Sequence, residues 1–354
     1  MTVLGIESSC DETAAAVVRV DGVVLAERVH SQIALHAPFG GVVPEVAARD
    51  HLRMVAPLVT QTLADAGMAL AQLDAIAVTY RPGLLGALLV GVQMAKGLAW
   101  AADKPLLGVD HLVGHLLSVF LRREGEAPAT ITFPFIGLLV SGGHTSLYRC
   151  DGPVPTHIRE LGGTRDDAVG EAYDKVAKLL GLGYPGGPAV DRLAASGDVT
   201  RARLSLRLPM MQKGSLEMSF SGIKSAVARH VRGPDGPRNK RDVADVCALF
   251  QQVVVRTLVL KTLRAAAQEK LTRVVVAGGV AANSALRFEM RRACKRSALS
   301  VVVPPLNSCT DNAAMIAYAG VQKLLAGGQD PLSLAAHTKT ELPPVTRKGR
   351  GRRR

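Results

Sequence analysis

The pattern of apolar and polar positions predicts strands and helices that alternate along the whole chain. Runs of four to nine mostly apolar residues next to glycines or polar turns are typical of buried strands, and longer segments with a 3.6-residue period predict helices. In the first part of the chain these patterns predict strands at 3–6, 14–20, 22–30, 75–79 and 105–109 and helices at 44–66 and 84–102.

The pattern restarts after a loop at 122–132. Strands are predicted at 134–140, 146–150, 273–277 and 300–303, and helices at 242–270, 283–295 and 311–326. The intervening segment 151–241 is rich in glycine and proline, which indicates an inserted subdomain.

The two parts share a spacing that suggests a duplication. Gly5, Ser9 and Thr13 recur at the same intervals as Gly137, Ser141 and Thr145. A repeated βββαβαβα unit is the pattern of the actin-like ATPase, sugar kinase and Hsp70 architecture, so we predict that duplicated two-lobed α/β fold. An unrelated pair of α/β domains is the alternative. The predicted division is an N-terminal lobe at 1–122, a C-terminal lobe at 123–310 with an insertion at about 151–241, a closing segment at 311–340 at the lobe interface, and a basic disordered tail at 341–354.

Size and composition fit a globular protein with two cores. A single hydrophobic core rarely serves more than about 250–300 residues. This chain has 354 residues, of which 48% are hydrophobic and 21% charged. Its longest uncharged stretch, 82–95, is too short and glycine-rich to span a bilayer, and the acidic residues after the first strand argue against a signal peptide. Five scattered cysteines favour reduced thiols in the cytosol.

The net charge of +13 is an excess of positive charge that needs a physical reason. Six of these charges lie in the last eight residues, which leaves +7 for the rest of the chain. Nucleic acid is the polyanion that such an excess usually meets. The tail either adds non-specific attraction for phosphate or does nothing.

Two histidines four residues apart are the first candidate for chemistry. His111 and His115 would lie on one face of a helix, close enough to share a metal ion. In the duplicated frame, Asp311 corresponds to the start of the His111 helix, although the local sequence also makes it a candidate N-cap. If the two helix starts face each other across a cleft, the three residues form a two-histidine, one-carboxylate set that suits Fe(II), Zn(II) or Mn(II).

Three glycine-rich turns could approach a nucleotide: 140–145, 184–188 and 278–283. The sequence has no Walker A lysine, no G-x-G-x-x-G and no G-x-S-x-G elbow. Leu112 follows the first histidine where a zinc protease needs glutamate, which argues against peptide hydrolysis.

These motifs together resemble the bacterial tRNA N6-adenosine threonylcarbamoyltransferases, the TsaD branch of the Kae/TsaD/Qri family once described as O-sialoglycoprotein endopeptidases. The resemblance extends to about Thr340. Its landmarks are the segments 5–13, 40–45, 82–88, 139–145, 166–168, 171–175, 184–188, 220–224, 278–283 and 309–312.

The resemblance implies a reaction and a set of partners. The family transfers the threonylcarbamoyl group of threonylcarbamoyl-AMP to N6 of the adenosine 3′ of the anticodon, in tRNAs that read ANN codons. Its bacterial members work in the cytoplasm, away from membranes, with a TsaB-like paralogue and a TsaE-like ATPase, and a TsaC-type synthase supplies the adenylate.

The resemblance also implies roles for particular residues. His111, His115 and Asp311 would hold one divalent metal, Fe(II) with Zn(II) as the alternative. Asp11, Glu12 and His144 would line the cleft as candidates for proton transfer. The adenylate would be bound by Leu139, Val140, Ser141, Gly142, Gly143, Asp174, Gly187, Asp191 and Asn283.

Two positions depart from the family pattern. Val113 stands where the family has glutamate between the metal histidines, and Arg81 replaces a glycine. Two other functions share part of these features: an actin-fold ATPase or small-molecule kinase, which has no use for the metal set, and a non-catalytic nucleic-acid-binding module, which would bind tRNA without transfer.

Overall fold

The computed structural model describes residues 1–127 and 129–346, and they form two compact units. The predicted disordered tail at 341–354 lies outside the described residues from 347 onward. The first unit comprises Met1–Ile131, Asp151–Ile158 and Pro304–Pro343, and the second comprises Thr132–Cys150, Arg159–Val303 and, among the described residues, 344–346.

The first unit is built on a five-stranded mixed sheet with the order β3-β2-β1-β4-β5. β1 lies antiparallel to β2 and parallel to β4, which is parallel to β5. The central strands are almost entirely buried because helices cover the sheet. The strands are β1 (Thr2–Glu7), β2 (Glu12–Arg19), β3 (Val24–Ser31), β4 (Ala75–Arg81) and β5 (Leu106–Asp110).

Five helices belong to this unit. They are α1 (Ile33–His36), α2 (Pro44–Asp65), α3 (Leu85–Ala102), α4 (His111–Leu117) and α10 (Ala313–Leu325). α10 packs closely on β1, where a Cβ on Gly5 would collide with the backbone oxygen of Ala313. α10 therefore completes the core of the first unit.

The second unit repeats the same plan. Its sheet has the order β10-β9-β6-β7-β8, which equals that of the first sheet when each is numbered from its own first strand. The strands are β6 (Phe135–Val140), β7 (Thr145–Cys150), β8 (Ile158–Gly163), β9 (Arg273–Ala277) and β10 (Ser300–Val302), and the helices are α5 (Val169–Leu179), α6 (Gly186–Ala194), α7 (Ser221–Arg232), α8 (Lys240–Glu269) and α9 (Ser284–Arg296).

The equal strand orders confirm the predicted duplicated α/β fold, but several of the predicted boundaries differ from the structure. Residues 123–131 and 151–158, predicted in the second lobe, belong to the first unit. β8 is the third strand of the second sheet, whereas the sequence placed it inside an insertion at 151–241. This strand contains Arg159 and the buried Glu160 and ends in two glycines, so it has no apolar run that would predict a strand. Residues 304–310, predicted in the second lobe, belong to the first unit together with α10.

The described part of the predicted disordered tail is anchored. Leu342 is buried, and within the second unit the backbone nitrogen of Val345 donates to Glu160 while the Thr346 hydroxyl accepts from Gly163 N at 2.8 Å. The six positive charges of the tail all lie after this anchored segment, outside the described residues.

Two helices are long and apolar enough to cross a membrane by length and composition alone, α3 and α8. The apolar window of α8 is 72% buried, as in the core helix of a globular unit. α3 buries one face against α2 and β4 and exposes Leu85, Leu89 and Trp100 on the other. Core helices pass the same test, so this finding is weak support for a membrane.

A buried lysine gives the second unit a pH-dependent stability. Lys261 on α8 is fully buried and donates to the backbone oxygens of Met210 and Ser215 at 2.6 and 2.7 Å. Burial, assisted by the charge of Arg264, lowers the pKa of its ammonium group from 10.5 to about 8.

We therefore expect the free energy of unfolding to rise between pH 8 and 10.5, because the unfolded chain then holds one more proton than the folded chain. The rise should be about 1–3 kcal/mol. Thermal melts of the wild type and Lys261→Met at several pH values isolate this contribution, since other groups titrate in both proteins. Parallel pH profiles for the two proteins would contradict it.

Candidate metal centre and substrate-binding residues

The metal ligands predicted from the sequence lie at the carboxyl end of the first sheet. β5 ends at Asp110, whose carboxylate accepts from the backbone nitrogen of Leu112 at 2.9 Å and so caps α4. His111 and His115 follow on this short helix, and every residue of α4 is buried. The imidazole rings lie at 81° to each other with centroids 4.6 Å apart.

Asp311 meets the two histidines inside the first unit. Asn312, rather than Asp311, is the N-cap of α10, with its side chain accepting from Met315 N at 2.9 Å. The carboxylate of Asp311 therefore faces the histidines, with one oxygen 3.0 Å from His115 Nε2 and 3.5 Å from His111 Nε2. The prediction of two helix starts facing each other across a cleft between lobes was wrong, because α10 packs beside α4 in one unit.

The donor set fits a divalent transition metal. One ligand atom from each of the three residues lies within 4.8 Å of the others. Atoms bound to one ion at about 2.0–2.2 Å are themselves about 3–3.5 Å apart, which matches the two measured distances to Asp311. Imidazole nitrogen and carboxylate oxygen suit Fe(II) and Zn(II), and a set of three leaves coordination positions open to substrate.

Glu7, which the sequence did not single out, orients the first histidine. This fully buried carboxylate at the end of β1 lies 2.9 Å from His111 Nδ1, and it also accepts from the Thr79 hydroxyl at 2.6 Å and from Ser9 N at 2.5 Å. A carboxylate on Nδ1 fixes the tautomer that leaves Nε2 free for a metal. The sequence feature that could have identified Glu7 is an acidic residue at the end of a buried strand.

The charges of the site act on one another. Burial would lower the pKa of His111, but Asp311 and Glu7 outweigh it and hold that pKa well above its usual range. Burial would raise the pKa of Asp311, but the charge and hydrogen bonds of the histidines hold it well below. Burial lowers the pKa of His115, and His111 adds to this effect.

Two predicted proton-transfer residues share this unit. Burial first, then the charges of Asp311 and Asp11, raise the pKa of Glu12 to about 10. Ser31 donates to Glu12 at 3.3 Å, and the Asp11 backbone oxygen accepts from Gln32 N. Asp11, Glu12 and Asp311 therefore form one electrostatically coupled acidic group beside the histidines.

The predicted nucleotide-binding turn lies in the second unit. Leu139 and Val140 end β6, and Ser141 begins the turn with its backbone nitrogen donating to the His144 oxygen at 2.8 Å. Gly142 and Gly143 are exposed, and a Cβ at either would meet nothing within 4 Å. Packing therefore does not require these glycines, and the space beside them is open to a ligand.

A second glycine turn packs against the first. Gly278 has φ +91°, and a Cβ on it would lie 2.5 Å from the Val140 oxygen, so only glycine fits this position. The turn continues as a 3-10 helix at Gly279–Ala282 and leads to Asn283. The carboxyl ends of β6 and β9 thus present adjacent backbone turns, as expected for parallel strands.

The remaining predicted substrate residues also have structural partners. Asp174 accepts from Gly186 N at 2.7 Å, Asp191 accepts from Ser284 N and Oγ at 3.0 and 2.8 Å, and Asn283 caps α9 while donating to Gln251 at 2.8 Å. A Cβ on Gly187 would meet nothing within 4 Å. These contacts connect α5, α6 and α9 around the turns.

The two departures from the family pattern occupy interior positions. Val113 is buried on α4, so an apolar side chain is accommodated where the family has an acid. Arg81 is half-buried with its guanidinium 4.4 Å from the centre of the Tyr80 ring, a cation–π arrangement. It is therefore not an exposed surface charge.

Comparison with known proteins identifies the family. Residues 23–318 match the family described as TsaD, tRNA N6-adenosine threonylcarbamoyltransferase. A protein of that name from Sorangium cellulosum is 63% identical over all of both chains, and one from Trichlorobacter lovleyi is 52% identical over 98% of each. The chain belongs to this family. The family resemblance drawn from the sequence motifs is confirmed.

Solved structures agree on the fold. Full-length HypF, in a phosphate- and nucleotide-bound form, matches 92% of this chain and 47% of its own with a TM-score of 0.60 at 13% identity. Component A of (R)-2-hydroxyglutaryl-CoA dehydratase from Acidaminococcus fermentans matches 92% of this chain and 99% of its own with a TM-score of 0.51 at 14% identity. At such identities the likeness shows a shared actin-like α/β fold and no shared activity.

Proposed function

We propose that this threonylcarbamoyltransferase-family chain transfers the threonylcarbamoyl group of threonylcarbamoyl-AMP to N6 of the adenosine 3′ of the anticodon in tRNAs that read ANN codons. The observation that carries this is the full-length identity of 63% to a relative of that name, together with the buried His111, His115 and Asp311 set. An ATPase or kinase of the same fold has no use for that set.

The metal site is proposed to hold one divalent ion, Fe(II), with Zn(II) as the alternative. Bound there, it would supply positive charge that polarises the threonylcarbamoyl carbonyl and offsets the repulsion among the neighbouring carboxylates. Glu7 holds His111 in the required tautomer, and α10 carries Asp311 to the same place. The rigidity of these buried side chains keeps the donors in position before substrate arrives.

The adenylate is proposed to bind to the second unit at Leu139, Val140, Ser141, Gly142 and Gly143, with Asp174, Gly187, Asp191 and Asn283 beside them. Open backbone at Gly142 and Gly143 supports this, because unhindered N–H groups can approach a phosphate closely. The same turn can receive the departing AMP phosphate. Asp174, Asp191 and Asn283 would contribute by fixing α6 and α9 around the nucleotide.

Proton transfer from the adenine amine is proposed to involve Glu12, with Asp11 and His144 as further participants. A group whose pKa is raised binds a proton strongly once it has been ionised. A divalent ion held by Asp311 would offset part of the repulsion that raises the pKa of Glu12, and Glu12 would then accept the proton of the amine more readily in its ionised form.

Partners follow from the family. We propose that the chain acts in the cytoplasm, without a membrane, with a TsaB-like paralogue and a TsaE-like ATPase, and that a TsaC-type synthase provides its adenylate. The exposed Leu85, Leu89 and Trp100 lie on one face of α3 and give a partner chain an apolar surface to cover.

The test is a transfer assay with labelled threonine, the adenylate-forming synthase, the partner proteins and tRNA. Wild type should form threonylcarbamoyladenosine, identified by nucleoside mass spectrometry, only in tRNAs with adenosine at that position. Glu12→Gln should lower kcat by about 100-fold, the range for loss of a general base, with little change in the KM for tRNA.

Full activity of Glu12→Gln would exclude it as the base while leaving the reaction itself established. If wild type binds tRNA but transfers nothing with all components present, the chain is a binding module. If it hydrolyses ATP or phosphorylates a small molecule instead, the kinase alternative is correct.

A further inference from the structure

The positive charge of the chain is concentrated in one segment of the second unit. Residues 201–241 contain ten lysines and arginines against two acidic residues, a net charge of +8. With the six charges of the tail also set aside, the remainder of the chain carries a net charge of −1. The excess that calls for an anionic partner therefore resides in this segment and in the tail.

The segment forms a groove with basic walls. It has a volume of about 330 Å³ and lies between residues 203–205 and the C-terminal half of α7, with Arg203, Ser205, Arg229, His230 and Asp235 among the lining residues. Arg203 and Arg229 are exposed. The volume is at the lower end for sites that enclose a small ligand, so the groove fits one phosphodiester and its sugar and is too small for a base-paired segment.

The charges of this groove are largely uncompensated. Neighbouring Arg201 is neutralised by Asp245 and Asp198, at 2.9 Å each. In contrast, within residues 1–127 and 129–346 no carboxylate lies in salt-bridge contact with Arg203 or Arg229. Asp235 is the one acidic side chain that lines the groove, against three basic ones.

The helix that carries the groove is held firmly to the helices of the candidate substrate site in the same unit. Asp166 accepts from Phe220 N at 2.8 Å and from the Ser219 and Ser221 hydroxyls at the start of α7. Asp167 bridges Lys224 on α7, at 2.7 Å, to Lys175 on α5, at 3.0 Å. A macromolecule bound at the groove is thereby positioned relative to α5.

We propose that the groove between residues 203–205 and α7 binds a backbone phosphate of the tRNA, with Arg203 and Arg229 as the principal contacts. This inference rests on the proposed function, which makes tRNA the substrate. Two guanidinium groups presented to solvent without carboxylate partners suit a phosphodiester, which accepts several charge-assisted hydrogen bonds. Contacts of this type position a nucleic acid and carry no sequence preference.

The test measures tRNA affinity of the full chain as a function of KCl concentration. Arg203→Ala/Arg229→Ala should weaken binding about tenfold at 100 mM salt and reduce the slope of log affinity against log salt by about two, one for each lost phosphate contact. Arg203→Lys/Arg229→Lys should restore most of the salt dependence, because it retains both charges.

A matched control removes two other exposed arginines of the second unit. Arg256→Ala/Arg291→Ala changes the net charge equally but lies on α8 and α9 outside the groove, and it should change the affinity less than twofold. An equal loss of tRNA affinity in both double variants would show a general charge effect and contradict the proposal that the groove binds tRNA. So would a lowered melting temperature of the groove variant with unchanged affinity, since Arg229 would then serve only the C-terminus of α7.

Transfer kinetics separate this proposal from the proposed function. In the reconstituted reaction the groove variant should raise the KM for tRNA about tenfold, matching the affinity loss, while kcat and the KM for the adenylate stay unchanged. If the wild-type protein shows no transfer, the affinity measurements still decide whether the groove binds tRNA. If wild type transfers and the groove variant has the wild-type KM for tRNA, the groove proposal fails alone.

Discussion

Asp311→Asn should abolish metal binding and lower transfer by at least about 100-fold. The carboxylate is the only anionic member of the proposed ligand set, and one of its oxygens lies within 3.0–3.5 Å of a nitrogen on each histidine. A neutral amide of the same shape is a weak metal ligand. Losses beyond those of outer-sphere residues, about 10–100-fold, are expected for a direct ligand.

Metal content and affinity are the primary measurements. Elemental analysis of anaerobically purified protein gives the native metal, and Co(II) titration followed by its visible absorption gives the affinity without any activity assay. Asp65→Asn is a suitable control, since Asp65 is an exposed carboxylate whose partner is Arg28 at 2.6 Å. It should leave metal content unchanged and change the melting temperature little, because exposed ion pairs contribute little to stability. Wild-type affinity in Asp311→Asn would remove the carboxylate from the site.

Asp311→Asn also tests whether the fold depends on the site. Because α10 is capped by Asn312 and covers the first sheet with apolar residues, the variant should still fold cooperatively. Its metal-free form should melt at a lower temperature than wild type, because the buried contacts of the carboxylate with the two histidines are lost. An unfolded variant would require His111→Gln and His115→Gln as replacements in the same titration.

Local pattern predicted most elements of this fold, because strands such as β1 and β9 are continuous apolar runs and α2 has a clear helical period. It failed for β8, which contains two charged residues and ends in two glycines, and it failed to assign α10 to the first unit. An apolar helix such as α10 fits either sheet equally well by composition. Only the close approach at Gly5 decides that it completes the first unit.

The candidate site, like the fold, could be predicted only in part from the sequence. The spacing of His111 and His115 indicates a pair on any helix, whereas Asp311 could be identified only through the duplicated frame. The prediction of the residue stands as a proposal, while the reasoning that placed it across a cleft was wrong. Glu7 was missed because a lone acid after a strand has many structural uses. Its role in orienting His111 depends on a contact between residues that are 104 positions apart in the sequence.

That contact leads to the second large effect: Glu7→Gln should weaken metal binding about 10–100-fold while leaving all three proposed ligands in place. Glu7 receives three hydrogen bonds, from Thr79, from Ser9 N and from the His111 ring. Glutamine keeps one acceptor oxygen but presents an N–H₂ group that cannot accept from His111 Nδ1. The ring then loses the bond that fixes its tautomer and the charge that makes Nε2 more basic.

Two measurements separate this positioning role from a merely structural one. Excess metal should restore transfer in Glu7→Gln but not in Asp311→Asn, because the first variant retains every ligand and only lowers the affinity. Glu160→Gln provides a control of the same type, since Glu160 is a buried glutamate that accepts from Ser146 and Val345 in the second unit. It should reduce thermal stability without changing the Co(II) affinity. If Glu7→Gln loses only stability, as Glu160→Gln should, then Glu7 supports the sheet and the orientation of His111 is set by α4 alone.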